Sequence, residues 1–197
     1  MGRCSLDRVS VFENVLDCVS HRKLWELLGT MQLSFGASSS RSPDAPRYYY
    51  KHFAGYSANG IERRDPTLIA DELREACRPI YNMWVGLERA FLSGHLLSRC
   101  YANVMPPGVG GGIHRDSQDP THMTLIYYPN LRWAPGDGGE TLFYNEAETT
   151  VVRTVEPVPN RLVVFSGSIP HMARALSAAA LTDRITLMFK TFGPLVH

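Results

Sequence analysis

The N-terminal half of the chain places hydrophobic residues at helical spacing. From Val11 to Leu28 apolar side chains recur at close to helical spacing, which predicts a helix. Glycine commonly ends helices, so this helix is expected to end at Gly29. A second helical pattern begins at Asp65-Pro66, a capping carboxylate followed by proline at the first helical position, and it ends near Ser93-Gly94. Pro79 interrupts this second pattern, which predicts either two helices or one kinked helix.

The C-terminal half changes to short apolar runs separated by Gly, Pro, Asn and Asp, a pattern typical of strands joined by turns. The predicted strands are Leu97–Val104, Thr121–Tyr128, Glu140–Tyr144, Thr149–Val155, Arg161–Phe165, His171–Ala175 and Arg184–Thr191. Such a series predicts a sandwich or a barrel. The aromatic segment Arg47–Gly60 fits either a strand or a lid. We therefore expect a mainly β fold with N-terminal helices (α+β) in a single domain. Residues 1–95 would form helical support and lid segments, and residues 96–197 the β core.

Composition narrows the class of protein. With 197 residues, 44% of them hydrophobic, the chain can bury a sizeable core. Its formal net charge of +1 lacks the basic excess of nucleic-acid binders, and no apolar run approaches the roughly 18 residues of a membrane span. Residues 1–6 lack the apolar region of a signal peptide, and the four cysteines are widely spaced. We expect a cytoplasmic protein without a nucleic-acid or membrane partner, and the oligomeric state stays open.

Three side chains of the C-terminal half have the chemistry of an iron site. In an extended segment residues two apart point to the same face, so His114 and Asp116 present an imidazole and a carboxylate side by side. His171 follows one apolar strand and starts another. Taken singly, each is more often a structural residue. Two imidazoles and one carboxylate together match the facial ligand set of non-haem Fe(II) oxygenases, which makes these three the candidate catalytic and metal-binding residues.

Arg184 opens the last predicted strand and shares a strand face with Thr186. An arginine directed into a barrel needs an anion, because an unpaired buried guanidinium is very costly. A guanidinium beside a hydroxyl suits one terminal carboxylate of a small dicarboxylic acid. A salt bridge to Asp183 is the structural alternative, and Arg174 competes with Arg184 for the anion-binding role.

The motifs occur in an order that resembles the 2-oxoglutarate- and Fe(II)-dependent dioxygenases, specifically their prolyl-4-hydroxylase-like branch. The resemblance covers the last half of the chain, from Leu97 onward. The matching segments are Cys100-Tyr101, His114-x-Asp116, Thr124…Tyr127-Tyr128-x-Asn130, Gly138-Gly139-x-x-Leu142, Asn160-Arg161-Leu162-Val163-Val164-Phe165, Pro170-His171 and Arg184-x-Thr186.

This resemblance implies a double-stranded β-helix (jelly-roll) core with helices packed on the outer sheet. It implies Fe(II) held by the His114, Asp116 and His171 set, with 2-oxoglutarate chelating the iron. The far carboxylate of 2-oxoglutarate would lie on Arg184, helped by Thr186 and Tyr128, and Tyr101 would lie in the same pocket.

The resemblance further implies oxidation of a C–H bond, normally a hydroxylation, with O₂ as oxidant and release of succinate and CO₂; ascorbate is expected to stimulate turnover. We expect a small molecule or an amino acid as substrate, free or tethered to a carrier protein, because the charge disfavours nucleic acid and little chain lies beyond the core. Arg99 and Asn103 share a strand face with Tyr101 and are the candidate substrate contacts. The alternatives are a hydroxylase of protein side chains and a non-catalytic jelly-roll binding protein.

Overall fold

The computed structural model describes residues 9–39, 42–56, 68–119 and 121–193. In this part of the chain the elements are, in order, β1 (Val9–Phe12), α1 (Cys18–Gly29), β2 (Ser34–Ala37), β3 (Tyr48–Ala54), α2 (Ile69–Ala76), α3 (Arg78–Phe91), β4 (Leu96–Met105), β5 (His122–Tyr128), β6 (Thr141–Tyr144), β7 (Val151–Val155), β8 (Arg161–Ser166), β9 (His171–Ala173) and β10 (Arg184–Phe192). The predicted helix start at Asp65-Pro66 lies outside the described residues.

The strands form two antiparallel sheets. The larger sheet has the order β1-β8-β5-β10-β4-β3-β2, and the smaller sheet has the order β7-β6-β9. A backbone bridge between His114 and His171 adds the segment before β5 to the smaller sheet. This double-layered antiparallel arrangement confirms the predicted double-stranded β-helix, and the seven strands expected from the sequence correspond to β4–β10.

The N-terminal third is less helical than its hydrophobic pattern indicates. Val11 and Phe12 belong to β1, which pairs with β8, so the helical assignment of this stretch is wrong. Helix α1 begins only after Asp17, whose carboxylate accepts hydrogen bonds from the backbone of Val19 and Ser20. The aromatic segment forms β3, which pairs with β4. Sheet hydrogen bonds decide the structure here, because helical propensity is a weak preference that tertiary pairing overrides.

Helices α2 and α3 cover the outer face of the larger sheet. They meet at Cys77, which has extended backbone, and proline lies in the first turn of α3, so the predicted interruption at Pro79 separates two helices. Trp84 stacks on Phe189 of β10 with ring centroids 5.9 Å apart. Full burial of a side chain of this kind contributes about 1.5–3 kcal/mol, so this layer holds β10 firmly in place. None of the helices in the described ranges is long and apolar enough to cross a bilayer.

Asn160 joins the N-terminal segment to the barrel. Its side-chain oxygen accepts hydrogen bonds from the Leu16 backbone amide and the Tyr127 hydroxyl, each at 3.0 Å, and its amide nitrogen donates to the Leu16 carbonyl at 2.7 Å. The residue has φ of 60°, a left-handed conformation that asparagine tolerates better than most residues. One buried side chain therefore connects the chain before α1 with the turn before β8.

We expect Asn160→Ala to lower the free energy of unfolding by about 2–4 kcal/mol, because it removes three hydrogen bonds and places a Cβ-bearing residue with no side-chain compensation at positive φ. Asn160→Gly should cost about 1 kcal/mol less, since glycine adopts that φ freely. Urea unfolding measures both. Asn145, a partly exposed asparagine whose side chain bonds only within its own turn, is the matched control, and Asn145→Ala should cost about 1 kcal/mol. A loss at Asn160 no larger than at Asn145 would contradict this role.

Candidate active site

A cavity of about 460 Å³ lies between the two sheets. Side chains that alternate along β3, β4 and β10 face this cavity. Residues at the end of β2 and from the smaller sheet complete its walls. The lining includes Tyr48, Tyr50, His52, Tyr56, Arg99, Tyr101, Asn103, Met105, His114, Arg115, Asp116, Ile126, Thr141, His171, Met172, Arg184, Thr186 and Met188.

Two histidines and an aspartate converge on one side of this cavity. The ligand atoms of His114, Asp116 and His171 all lie within 4.8 Å of one another. Nε2 of His114 is 3.6 Å from Oδ1 of Asp116, and Nε2 of His171 is 3.5 Å from Oδ2. Main-chain bonds hold this arrangement, because the backbones of His114 and His171 exchange two hydrogen bonds of 3.0 and 2.9 Å.

Each histidine presents a free Nε2 to the cluster. Nδ1 of His114 is 3.0 Å from the Gly112 carbonyl, and Nδ1 of His171 is 2.9 Å from the Ile169 carbonyl. A protonated Nδ1 donates to these carbonyls, which leaves the Nε2 lone pair directed at the centre. Burial lowers the pKa of His171 to about 4, so its imidazole is neutral at physiological pH. Two oriented imidazole nitrogens and a carboxylate form a donor set that Fe(II) binds, so the residues fit this metal.

Asp116 is buried and remains ionised. Burial alone would raise the pKa of its carboxyl, but the Lys190 ammonium, together with His171 and His114, holds that pKa well below its usual range. Oδ2 accepts a hydrogen bond from the Thr124 hydroxyl at 2.6 Å and a second, charge-assisted one from Nζ of Lys190.

Arg115 fixes the segment that carries both His114 and Asp116. Its guanidinium donates to the Ser168 carbonyl at 2.5 Å and to the Glu146 carbonyl at 2.8 Å, and it pairs with the Glu146 and Glu148 carboxylates. Ser168 lies three residues before His171. The turn between β6 and β7 therefore holds the two metal-ligand segments together through one arginine.

Arg184 lies buried at another part of the cavity. Its Nε donates to the Gly139 carbonyl at 2.6 Å and its Nη2 to the Thr141 hydroxyl at 3.1 Å, and the guanidinium lies 5.4 Å from the Tyr128 ring centre. Gly139 has φ of +78°, and a Cβ there would lie 3.1 Å from Cδ of Arg184, which explains the glycine. Among the described residues no carboxylate forms an ion pair with this guanidinium, whose hydrogen bonds to oxygen are accepted by the neutral groups of Gly139 and Thr141.

The other candidate residues for 2-oxoglutarate differ in position. Thr186 and Tyr101 line the cavity, and burial raises the pKa of Tyr101 so that its phenol stays neutral. Tyr128 lies behind the cavity wall, and its hydroxyl is 2.6 Å from that of Thr141, which itself faces the cavity. Arg174 lies at the surface, with 63% of its side chain exposed and Glu140 3.7 Å away.

Arg99 and Asn103 line the cavity beside an aromatic wall. They share one face of β4 with Tyr101, and His52 of the neighbouring strand stacks on Tyr56 with ring centroids 3.3 Å apart. Burial, followed by the positive charge of Arg99, lowers the pKa of His52 to about 4. This part of the cavity is therefore lined by aromatic rings, and Arg99 adds a positive charge to it.

Sequence reasoning missed Thr141 and Lys190, and it named Thr124 only as part of a matching segment, without its contact to Asp116. Lys190 could have been found, because it continues the inward alternation of Arg184, Thr186 and Met188 and is the only charge in an otherwise apolar stretch of strand. Thr124 lies in β5 opposite Lys190, a register that no local pattern reveals.

Comparison with known proteins agrees with this geometry. A sequence model described as the 2OG-Fe(II) oxygenase superfamily matches residues 100–189. No curated protein matches the chain. Among solved structures, a prolyl-4-hydroxylase from Pseudomonas putida is 20% identical, with a TM-score of 0.61 and with 94% of this chain and 92% of that chain covered.

Two further structures show the same fold. A prolyl hydroxylase from Trichoplax adhaerens, solved with a hypoxia-inducible-factor peptide fragment, is 17% identical, with coverage of 93% and 83% and a TM-score of 0.59. The non-haem α-ketoglutarate-dependent epimerase SnoN from nogalamycin biosynthesis is 15% identical, with coverage of 96% and 80% and a TM-score of 0.60. The His-Asp-His cluster and the match of residues 100–189 to this superfamily model support an oxygenase that uses Fe(II), 2-oxoglutarate and O₂.

Proposed function

We propose that this enzyme hydroxylates, or otherwise oxidises, an unactivated C–H bond of a small molecule or amino acid, free or tethered to a carrier protein. The observation that carries the proposal is the joint placement of a His-Asp-His cluster and a buried, carboxylate-free arginine in one cavity. Such a cavity can hold a metal and a dicarboxylate together beside a substrate.

His114, Asp116 and His171 are proposed to hold the iron. Fe(II) bound there would supply O₂ activation and C–H oxidation, coupled to conversion of 2-oxoglutarate to succinate and CO₂. The protein contributes orientation: the Gly112 and Ile169 carbonyls fix the imidazole rings with Nε2 directed at the metal position.

Arg184 is proposed to bind the far carboxylate of 2-oxoglutarate. Its nitrogen atoms donate hydrogen bonds to two neutral oxygen acceptors, the Gly139 carbonyl and the Thr141 hydroxyl, so its charge is available to an anion. Thr186 and Tyr101 would line the same binding site, and Tyr128 would act through the hydroxyl of Thr141.

The substrate is proposed to lie against Arg99, Asn103 and the His52–Tyr56 stack. A cavity of about 460 Å³ is within the range of small-molecule sites. Aromatic rings and one cation provide contacts for a compact polar molecule.

The substrate class is tested by succinate release. Purified enzyme with Fe(II), 2-oxoglutarate and ascorbate is given either the low-molecular-mass or the protein fraction of a cell extract. We expect the low-molecular-mass fraction to raise succinate release above the substrate-free rate, with a product 16 Da heavier for hydroxylation. Stimulation by the protein fraction alone would make the chain a protein hydroxylase, and no succinate from either fraction would favour a non-catalytic role.

Removing any one metal ligand should abolish iron-dependent turnover. We expect this for His114→Ala, Asp116→Ala and His171→Ala, because each leaves an incomplete donor set. The two histidine variants should leave the fold largely intact, whereas Asp116→Ala should also lower the stability, because it removes the carboxylate that faces the buried Lys190 ammonium. Circular dichroism and succinate release are measured together. His95, which does not line the cavity, is the matched control in His95→Ala. Wild-type turnover in two of the three ligand variants would refute the metal assignment.

Arg184→Gln should weaken 2-oxoglutarate binding by roughly 10–150-fold, because hydrogen bonds to charged groups contribute about 1.5–3 kcal/mol. Thr186→Val should cost about 1 kcal/mol, several-fold at most. The matched control is Arg174→Gln, which alters an exposed arginine and should have little effect. Titration of 2-oxoglutarate at saturating metal measures all three. If Arg174→Gln is the impaired variant, the assignment of the anion site to Arg184 is wrong.

Arg99→Gln should raise the KM for the substrate by about tenfold, the change expected from roughly 1.4 kcal/mol of lost binding. The 2-oxoglutarate constant should change less, because Arg184 is the group proposed for that ligand. Steady-state kinetics with each ligand varied in turn separate the two effects. A larger change in the 2-oxoglutarate constant would assign Arg99 to the co-substrate.

A further inference from the structure

Lys190 is a fully buried cation in contact with a metal-ligand carboxylate. Its side chain has 0% exposure, and Nζ donates to Oδ2 of Asp116 and, at 3.1 Å, to the Thr124 hydroxyl. The same Oδ2 accepts the 2.6 Å hydrogen bond from Thr124. Two donors, one charged and one neutral, therefore converge on a single oxygen of Asp116.

The strand register puts Lys190 in this position. Along β10, Leu187 and Phe189 face the helices, whereas Lys190 faces the interior between the sheets. Lys190 lies opposite Thr124 of β5 on one side and opposite Arg99 of β4 on the other. Two cations face each other across neighbouring strands, a pairing that destabilises a sheet unless an anion is near.

Fold stability alone gives a weak reason for a lysine here. Replacing a buried ion pair with apolar residues of similar volume is often neutral or stabilising, so Asp116 and Lys190 are not needed as a pair for packing. Asp116, however, serves the proposed metal site. The charge of Lys190 is then best explained by its effect on the Asp116 carboxylate, a proposed ligand of that site.

We propose that Lys190 is a positioning residue of the metal centre: it holds Oδ2 of Asp116 away from a chelating geometry and makes the centre one charge more positive toward 2-oxoglutarate. This inference rests on the proposed metal assignment. A carboxylate that binds through one oxygen leaves coordination positions for the co-substrate and O₂. An added positive charge repels a divalent metal and attracts a dianionic co-substrate, so the two affinities should move in opposite directions when it is removed.

The test uses Mn(II) as a metal that does not turn over. Calorimetry measures Mn(II) binding to the metal-free protein and then 2-oxoglutarate binding to the Mn(II)-loaded protein. The variants are Lys190→Met, which removes the charge at similar volume, Lys190→Arg, which keeps it, and Thr124→Val, which removes the neutral donor to the same oxygen. Circular dichroism checks the fold of each.

We expect Lys190→Met to bind Mn(II) at least as tightly as wild type and 2-oxoglutarate about tenfold more weakly or worse. Lys190→Arg should restore 2-oxoglutarate affinity, and Thr124→Val should weaken it less than Lys190→Met does. Loss of Mn(II) affinity in Lys190→Met, or an unchanged 2-oxoglutarate affinity, overturns the inference.

Two further results separate a purely structural role of Lys190 from a failure of the proposed metal site. If Lys190→Met does not fold, Lys190→Gln takes its place, and failure of both while Lys190→Arg folds would assign the lysine to the fold and overturn the inference. If wild type does not bind Mn(II), or His114→Ala binds it equally well, the proposed metal site itself fails. That result is separate from any outcome at Lys190.

Discussion

The backbone bridge between His114 and His171 is the contact on which the rest of the site depends. The segment before β5 pairs with β9 through this bridge, and the Asp116 amide donates to the Gly167 carbonyl at 2.8 Å. Main-chain hydrogen bonds thus place all three candidate ligands before any side chain contributes. The side chains then need only the two carbonyl contacts on the imidazoles and the two donors on the carboxylate.

Strand β10 links this site to the hydrophobic core. One of its faces contributes Leu187 and Phe189 to the packing with the helices, and the other contributes Arg184, Thr186 and Lys190 to the interior between the sheets. The two faces cannot move independently, because side chains alternate along a strand. The packing of the helices on β10 therefore fixes the position of Arg184 relative to the three candidate metal ligands.

The sequence predicted the parts of the molecule that depend on local alternation and on the order of motifs. The strands of the C-terminal half, the fold class and the division of the second helical pattern into two helices are confirmed, although the break lies at Cys77 and Pro79 belongs to the first turn of α3. The superfamily match over residues 100–189 supports the enzyme family. The strand Val9–Phe12 was missed, because its pairing partner lies in β8 and leaves no mark on a four-residue pattern. The contact of Thr124 with Asp116 was missed because it depends on the register of β5 against β10, whereas the inward position of Lys190 follows from alternation along its own strand.

Because of the Arg115 contacts, the surface turn between β6 and β7 should tolerate insertions less well than other exposed turns. The turn between β6 and β7 is exposed and short, the kind of place where insertions, tags or circular permutation are usually harmless. Here Glu146 and Glu148 of that turn hold the arginine between two metal-ligand segments. Protein engineers should treat this turn as part of the active site and graft elsewhere, for instance at the turn Ser177–Ala180 that precedes β10.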